Sequence, residues 1–529
     1  MESIRPEIVR QVLTYIDAPE AVIGFLRVTP AHCLDAPLTA LAELFSYMPL
    51  RDLWPELHLR TFLLARTMER VVAALPLFTR IHVYDSRHVA RLAPAARSSL
   101  VLHPAVDATG ELVPLASVPG DAVVGLHIDA SVATLGCTAT MPALSNYAQL
   151  RDLRLLVTNA QAQSVVALLP ALATAHALVN LSLIKHETSE VLSLDDVAVD
   201  GLAQWLLTRL SVALELRSID AASPVAADRL TSVLLASASL VSLAFAGAVV
   251  CAGALLRQPE LLPPALASLE LSNCRLTAPS WDVLQNASLR HLDLSGTYLG
   301  PPGLAQLAAI LPTLPHLQAL HLTATLPDQS RMDAAYLPAD TEGGEIFALA
   351  LRRLPRLEVL SLGRNRLQDD DLLRLLPALS SRLVALDLSG NHLRNAAAAA
   401  LSAAATHFPR LAKLHLKNNA FGNEGARVFA KRLSQWRALT ELSFLGRDMD
   451  MYGIIMLLRA LPTGARPLVR LDVSGPCCRR PNDTAKITET ARSLGLVDAS
   501  PKFSTRLPGR WPRRRGSSGS QRASSDVQP

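Results

Sequence analysis

Residues 357–449 repeat one eleven-residue pattern four times, and this repetition constrains the fold more than any other feature of the chain. The copies read LEVLSLGRNRL, LVALDLSGNHL, LAKLHLKNNAF and LTELSFLGRDM, and they begin at Leu357, Leu383, Leu411 and Leu439. Successive copies are 26, 28 and 28 residues apart. Leucines alternate with other residues inside each copy, as in a short strand, and the rest of each period has the apolar spacing of a helix. Such a chain stacks strand-and-helix units in series.

Further copies of the pattern extend it over most of the chain. Regular copies begin upstream at Leu266, Leu289 and Leu317. Less regular copies begin at Phe78, Val123, Leu150, Leu178, Leu240 and Leu468. The spacing of these starts predicts two degraded units, one near Leu100 and one near Leu214.

The pattern resembles the leucine-rich repeat, L-x-x-L-x-L-x-x-N/C-x-L, and its period near 28 residues resembles the ribonuclease-inhibitor-like subclass. The resemblance implies an α/β solenoid of horseshoe shape, with a parallel sheet on the concave face and helices on the convex face. At the position where the chain turns out of each strand, the repeat has a small polar or thiol side chain, which can satisfy backbone groups that the turn leaves unpaired. In this chain the slot is filled by Asn365, Asn391, Asn419, Cys274 and Thr297.

Three regions follow from these patterns. Residues 1–59 precede the repeats and are predicted to form a helical module, and residues 60–500 form the repeats with their C-terminal cap. A long step between repeats places a surface insertion at about residues 327–344. Residues 501–529 form a Ser/Arg tail predicted to be disordered. The tail carries Lys502 and six arginines against Asp526, while the whole chain has a net charge of +5. The basic pI therefore reflects the tail and does not indicate nucleic-acid binding.

The N-terminal segment Ile4–Val28 has two helical patterns separated by a break at Asp17-Ala-Pro19. It resembles the start of an F-box at Pro6, Glu7, Ile8, Val12, Leu13, Tyr15, Ile16, Asp17 and Val28. It departs from that family at Ile4 and Arg5, and it lacks the basic residue and tryptophan that normally follow.

The F-box resemblance implies docking onto a Skp-family adaptor of a cullin-RING (SCF-type) ubiquitin ligase, with the repeats capturing a substrate protein. The predicted adaptor-docking residues are Pro6, Ile8, Val12, Ile16 and Val28. The alternative is a helical cap that closes the open end of the repeat stack. A second class of function also stays open, namely an intracellular scaffold or inhibitor like ribonuclease inhibitor, or a regulator of small GTPases.

The residues that alternate with the strand leucines predict the partner-binding surface. They are polar, mixed in charge and poor in aromatic side chains. The predicted partner-binding residues are Glu270, His291, Asp293, His321, Asp387, Lys413, His415, Lys417, Glu441, Arg470 and Asp472. His291, Asp293 and His321 could approach one another on neighbouring strands, but histidines are ordinary on a binding face, and we predict no metal site there.

No catalytic or phosphate-binding motif is present, and we predict a non-enzymatic protein without a cofactor. The first residues lack the apolar run of a signal peptide, and the six cysteines have no metal-ligand spacing. We therefore expect the chain in the cytoplasm or the nucleus.

The uncharged run Leu230–Leu256 is long enough to span a bilayer. Because Leu240, Leu243 and Phe245 fall on the repeat phase, we predict a buried repeat there.

Overall fold

A computed structural model gives the fold of most of the chain. It describes residues 5–16, 19–61, 63–85, 88–92, 100–103, 120–129, 147–157, 175–185, 191–208, 212–274, 280–285, 288–325, 342–461 and 470–472, with the isolated positions 169, 172, 276, 486, 487, 489, 490 and 493. The chain divides into two compact units, residues 1–386 and residues 387–529. The predicted tail at 501–529 and most of the predicted insertion lie outside the described residues.

Three helices open the first unit: α1 (Pro6–Leu13), α2 (Pro19–Val28) and α3 (Ala36–Leu44). Pro6 occupies the first turn of α1, where its missing N–H costs nothing, and Glu7 favours the positive helix end. The Asp35 side chain caps α3 by accepting a hydrogen bond from the Leu38 amide at 3.1 Å. Asp35 also pairs with Arg10 of α1. This contact ties α1 to the start of α3.

A parallel sheet runs through the first unit, with its strands neighbouring one another in chain order apart from two short intervening strands. The strands are β1 (Leu57–Leu59), β2 (Ile81–Val83), β3 (Leu100–Leu102), β4 (Val123–Asp129), β5 (Asp152–Val157), β6 (Asn180–Lys185), Val212–Arg217, Leu240–Ala246, Ser268–Glu270, His291–Asp293, Ala319–His321 and Val359–Ser361. Leu192–Leu194 pairs with Ile219–Ala221 in a separate two-stranded sheet. The helices that follow the strands are α4 (Ala65–Ala74), α5 (Val89–Leu92), Asp196–Leu207, Pro224–Ala236, Val249–Leu255, Gly300–Ile310, Glu342–Arg352 and Asp369–Leu375.

The second unit repeats the same arrangement. Its parallel strands are Lys413–His415, Glu441–Ser443 and Arg470–Asp472, and a two-stranded sheet joins Asn419–Gly422 to Gly446–Asp448. Its helices are Asn395–Ala403, Asn423–Ala430 and Met451–Arg459. One further strand, Ala385–Asp387, lies at the division between the units. The α/β leucine-rich-repeat solenoid predicted from the sequence is confirmed.

Alternate strand positions face the core. In β1, Leu57 and Leu59 are fully buried, and His58 between them is half-buried. Burying a leucine contributes roughly 1.5–3 kcal/mol, so the repeated leucines stabilise each strand in one register. The two degraded units predicted near Leu100 and Leu214 are real repeats, because both positions lie in strands of the sheet.

The uncharged run Leu230–Leu256 also belongs to the repeats. It forms the end of helix Pro224–Ala236, the strand Leu240–Ala246 and the helix Val249–Leu255. Among the described residues, no helix combines the length and apolar character needed to cross a bilayer. The sheet begins at Leu57, which lies inside the segment expected to be a purely helical module.

Buried polar side chains fill the slot after the strands. In the second unit, the Asn419 amide donates to the carbonyls of Leu388 and Leu416, both at 2.9 Å, and its oxygen accepts from the Leu393 amide at 3.2 Å. In the first unit, Thr297 and Cys274 occupy the same slot, and the Cys274 amide donates to the Thr297 hydroxyl at 3.0 Å. The side chains thus satisfy the backbone groups that the turns leave unpaired.

We expect Asn419→Ala to lower the free energy of unfolding by about 2–4 kcal/mol, because three buried backbone groups would each lose a partner. Chemical denaturation followed by circular dichroism measures this change. Asn418→Gly is the matched control, since Asn418 is exposed and its φ of 63° suits glycine. Equal losses for both variants would contradict a special role of the buried amide.

Candidate functional site

The polar surface of the first unit consists of the strand residues that alternate with the buried leucines. Four histidines lie along this surface, His58 in β1, His82 in β2, His103 just after β3 and His127 in β4, and we call them the histidine cluster. Parallel pairing sets His58 beside His82. It sets His82 beside Val101, and Val101 beside Gly125.

An irregularity in the pairing of β3 with β4 completes the cluster. Leu100 pairs with Val123 but Val101 pairs with Gly125, so β4 contains one extra residue at this point. In the shifted register Leu102 pairs with Leu126, and the next residues of the two chain segments, His103 and His127, therefore lie side by side. The two imidazoles meet edge to face, with ring centroids 4.9 Å apart. Without the extra residue, His103 would lie beside the buried Leu126.

The imidazoles of the cluster contact one another directly. His82 Nδ1 lies 2.9 Å from His103 Nε2, and His82 Nε2 lies 2.8 Å from a carboxylate oxygen of Glu56. His58 stacks on His82 at a centroid distance of 4.3 Å. Tyr84 stacks on His103 at 4.0 Å. These contacts form a continuous polar and aromatic surface across four repeats.

Burial keeps the histidines of the cluster neutral near pH 7. Burial, with help from neighbouring imidazoles, lowers the pKa of His103 to about 3, and burial with His82 and Arg154 nearby lowers the pKa of His127 to about 4. Burial also lowers the pKa of His82, and this effect outweighs the opposing influence of Glu56. In its neutral form each imidazole has one ring nitrogen with a lone pair and one that carries a proton.

A second polar group lies further along the same sheet. Arg217 binds both carboxylate oxygens of Glu270, at 2.7 and 2.8 Å, and also donates to Glu215. The strand between them places the small Ala244 in register with Glu215 and Glu270, which leaves room for the arginine to cross. Ser182 donates to Glu215 from the neighbouring strand. The predicted residue Glu270 is thus half of a bidentate ion pair.

The other predicted surface residues of the first unit do not form a cluster. His321 Nδ1 lies 2.8 Å from the Ser361 hydroxyl, and Asp293 accepts a hydrogen bond from the Ser295 amide at 2.8 Å. The register pairs His321 with Asp293 but His291 with Ala319. Among the described residues, the groups of three or more side chains that could hold a metal do not include His291, Asp293 or His321.

In the second unit, the predicted partner-binding residues at one position of neighbouring strands alternate between positive and negative charge. Register places Lys413 beside Glu441 and Glu441 beside Arg470. His415 lies beside Ser443, and Ser443 lies beside Asp472. Lys417 is half-buried just beyond the strand. Asp387 accepts from the Ser389 amide at 2.8 Å, as Asp293 does from Ser295, which gives it a role in the turn.

Sequence reasoning missed the histidine cluster, although the signal was present. The histidines recur at intervals of 21 to 24 residues, which is one repeat, and three of them lie between apolar residues in LHL, IHV and LHI. Reading the outward positions of the weaker repeats as well as the regular ones would have found His58, His82 and His127. His103 depends on the register shift, which the sequence does not indicate.

Comparison with known proteins agrees with this fold. A Leucine Rich repeat family model matches residues 285–308. Over 225 residues the chain is 30% identical to Ribonuclease inhibitor of Mus musculus, covering 41% of this chain and 47% of that protein. Over 224 residues it is 30% identical to NACHT, LRR and PYD domains-containing protein 5 of Bos taurus, covering 40% of this chain and 19% of that protein. The chain thus spans between about a fifth and about half the length of these relatives.

Two solved structures show limited similarity. The yeast Rad7 and Elc1 complex matches with a TM-score of 0.41 and 17% identity, over 63% of this chain and 79% of that chain. An internalin of Listeria monocytogenes matches with a TM-score of 0.35 and 14% identity, over 78% of this chain and 95% of that chain. The family model shows that the chain contains a leucine-rich repeat, and part of the chain is similar in sequence to ribonuclease inhibitor.

The ion-pair network predicts a pH-dependent contribution to stability. Burial alone would raise the pKa of Glu215, but hydrogen bonds from Ser182 and Arg217 outweigh it and lower the pKa below 4.5. The network therefore stabilises the fold fully above that pH, and this contribution is lost as the pH falls through the folded-state pKa. Glu215→Gln should lower the free energy of unfolding by about 1 kcal/mol at pH 7 and by less near pH 4.

Urea denaturation at the two pH values measures the difference. The control is Glu260→Gln at an exposed position, which should change stability little at either pH. A loss for Glu215→Gln that does not vary with pH would show that the network does not use the carboxylate charge.

Proposed function

We propose that this protein is a substrate receptor of an SCF-type ubiquitin ligase, in which α1 and α2 dock onto a Skp-family adaptor and the polar sheet surface binds the substrate protein. The observation that carries the proposal is a set of exposed apolar side chains on these two helices. Ile8 is 51% exposed, Val12 38% and Val28 79%. Tyr15, just after α1, is 81% exposed.

These side chains are exposed although the helices already have a buried face. Val9 and Leu13 of α1 and Val22 and Leu26 of α2 are buried. A helix that only caps a repeat stack needs one apolar face, with polar residues towards water. A second apolar face is typical of helices that dock into a partner. Of the predicted docking residues, Ile8, Val12 and Val28 are exposed, while Pro6 and Ile16 are half-buried.

The capping role falls to a different helix. Helix α3 packs against α4, the first helix of the repeats, and buries Leu38, Leu41 and Leu44. Closing the repeat stack therefore does not require the outer surface of α1 and α2. The cap and the docking site are separate surfaces of one helical module, which leaves Ile8, Val12 and Val28 available to an adaptor.

A scaffold or inhibitor resembling ribonuclease inhibitor is the second candidate function, and the sequence identity to that protein favours it. In that case the sheet surface binds a protein partner directly and no ligase adaptor is involved. Both candidates use the sheet surface for protein recognition, and they differ in whether the N-terminal helices bind a partner.

Substituting Ile8→Asp or Val12→Asp should weaken binding to a Skp-family adaptor by at least about tenfold, because a charge would enter an apolar interface. Affinity of the purified full-length chain for the purified adaptor, measured by surface plasmon resonance, tests this. Point variants test the docking residues more specifically than deletion of residues 1–59, because the deletion would also remove strand β1 from the sheet.

Val225→Asp is the matched control, because Val225 is 69% exposed at the start of a helix away from the N-terminal module. It should bind the adaptor as the unmodified chain does. No measurable binding of the unmodified chain, or equal binding of all three variants, would exclude adaptor docking through α1 and α2 and favour the scaffold.

A further inference from the structure

We propose that His82, His103 and His127 form a binding site for one zinc ion, with Glu56 holding His82 in the orientation that the metal requires. The site lies on the polar sheet surface of strands β2 to β4. It is independent of the proposed adaptor docking, which involves the N-terminal helices only.

The distances between the ligand atoms suit a zinc ion. One ring nitrogen from each of the three histidines lies within 4.8 Å of the others. In a tetrahedral site with Zn–N bonds of about 2.0–2.1 Å, neighbouring ligand nitrogens are about 3.3 Å apart. The nitrogens of His82 and His103, at 2.9 Å, already have nearly this separation. His127 brings a ring nitrogen within 4.8 Å of both, and a rotation of its side chain can complete the set.

The ring orientations let the lone pairs converge. A ligating lone pair lies in the plane of its imidazole, so rings that share a metal must be inclined to one another or lie edge to edge. The planes of His103 and His127 are inclined by 80°, and those of His82 and His127 by 59°. The three rings can therefore direct nitrogens at one point between strands β2 and β4.

Glu56 selects the nitrogen with which His82 can bind. Its carboxylate lies 2.8 Å from Nε2 of His82, so Nε2 carries the proton and donates it. The lone pair of His82 is then on Nδ1, which is the atom that faces His103. Metal-binding histidines usually donate their second N–H to a carboxylate or a carbonyl in this way. Glu56 is a positioning residue, and the three histidines are the ligands.

A second set, Glu56 with His58 and His82, also brings three ligand atoms together, but its geometry is less suitable. His58 and His82 are stacked with only 9° between their planes, so their in-plane lone pairs run nearly parallel and do not converge. His58 Nδ1 also lies 3.3 Å from the Tyr84 hydroxyl. We therefore assign His58 to the support of His82.

The chemistry of the three ligands favours zinc over hard cations. Neutral imidazoles suit zinc and its neighbours in the transition series, while magnesium and calcium require oxygen ligands. Three protein ligands leave the fourth position of a tetrahedral zinc ion open to water or to a side chain of a bound protein.

The proposal is tested by measuring zinc binding to the full-length chain. The protein carries no polyhistidine tag and is first freed of metal with a chelator. Competition with a fluorescent zinc indicator should show one zinc ion bound through the cluster. His103→Gln and His127→Gln should each reduce the affinity by at least about 100-fold, and Glu56→Gln by about 10- to 100-fold. His321→Gln is the matched control on the same sheet and should leave the affinity unchanged.

Cobalt substitution gives a readout that needs no variant. A site of three imidazoles should give the visible bands of tetrahedral cobalt without the thiolate charge-transfer band that a cysteine site produces. The proposal is overturned if the unmodified chain binds no zinc at micromolar concentrations, or if a thiolate band appears. It is also overturned if His103→Gln and His127→Gln, folded by circular dichroism, bind as tightly as His321→Gln, or if binding depends on His58 and not on His127.

Discussion

The hydrogen bonding of short parallel strands in register is the constraint on which the rest of each unit depends. Each strand is paired with its neighbours in the stack, and the buried leucines allow only one register, because a slip by one residue would turn them towards water. Equivalent positions of successive repeats therefore lie one strand spacing apart, about 4.8 Å. This is close enough for any two polar side chains at such positions to interact.

The register thus determines the chemistry of the surface. It stacks His58 on His82 and brings Ser182 to Glu215. Where the register is shifted between β3 and β4, His103 comes to lie beside His127. Gly125 belongs to the same local arrangement, because a Cβ atom at this position would lie only 3.0 Å from the Val101 side chain. Small changes in strand pairing therefore alter which side chains meet on the surface, while the buried leucines remain in place.

The part of the structure that follows from local rules could be predicted from the sequence. Leu360 and Asn419 recur in the repeat pattern, and their burial follows from alternation and from the need to satisfy the turn. The degraded repeats at Leu100 and Leu214 could be placed by spacing alone. The zinc site could not, because it combines a register shift with histidines from repeats whose pattern is weak. Burial in a helix is also not determined by apolar spacing alone. Leu373 fits the apolar spacing of helix Asp369–Leu375, but its side chain is 47% exposed.

A metal at the histidine cluster would change the charge of this surface more than any single side chain does. Two nearby arginines are already paired, Arg60 with Asp52 at 2.9 Å and Arg80 with Asp152 at 3.2 Å. The neutral histidines add no charge, so a zinc ion would bring two positive charges to this part of the surface. Electrostatic complementarity governs the rate and the specificity of protein association more than its overall strength. The same repeats could therefore favour acidic partners when zinc is bound and more neutral partners when it is absent.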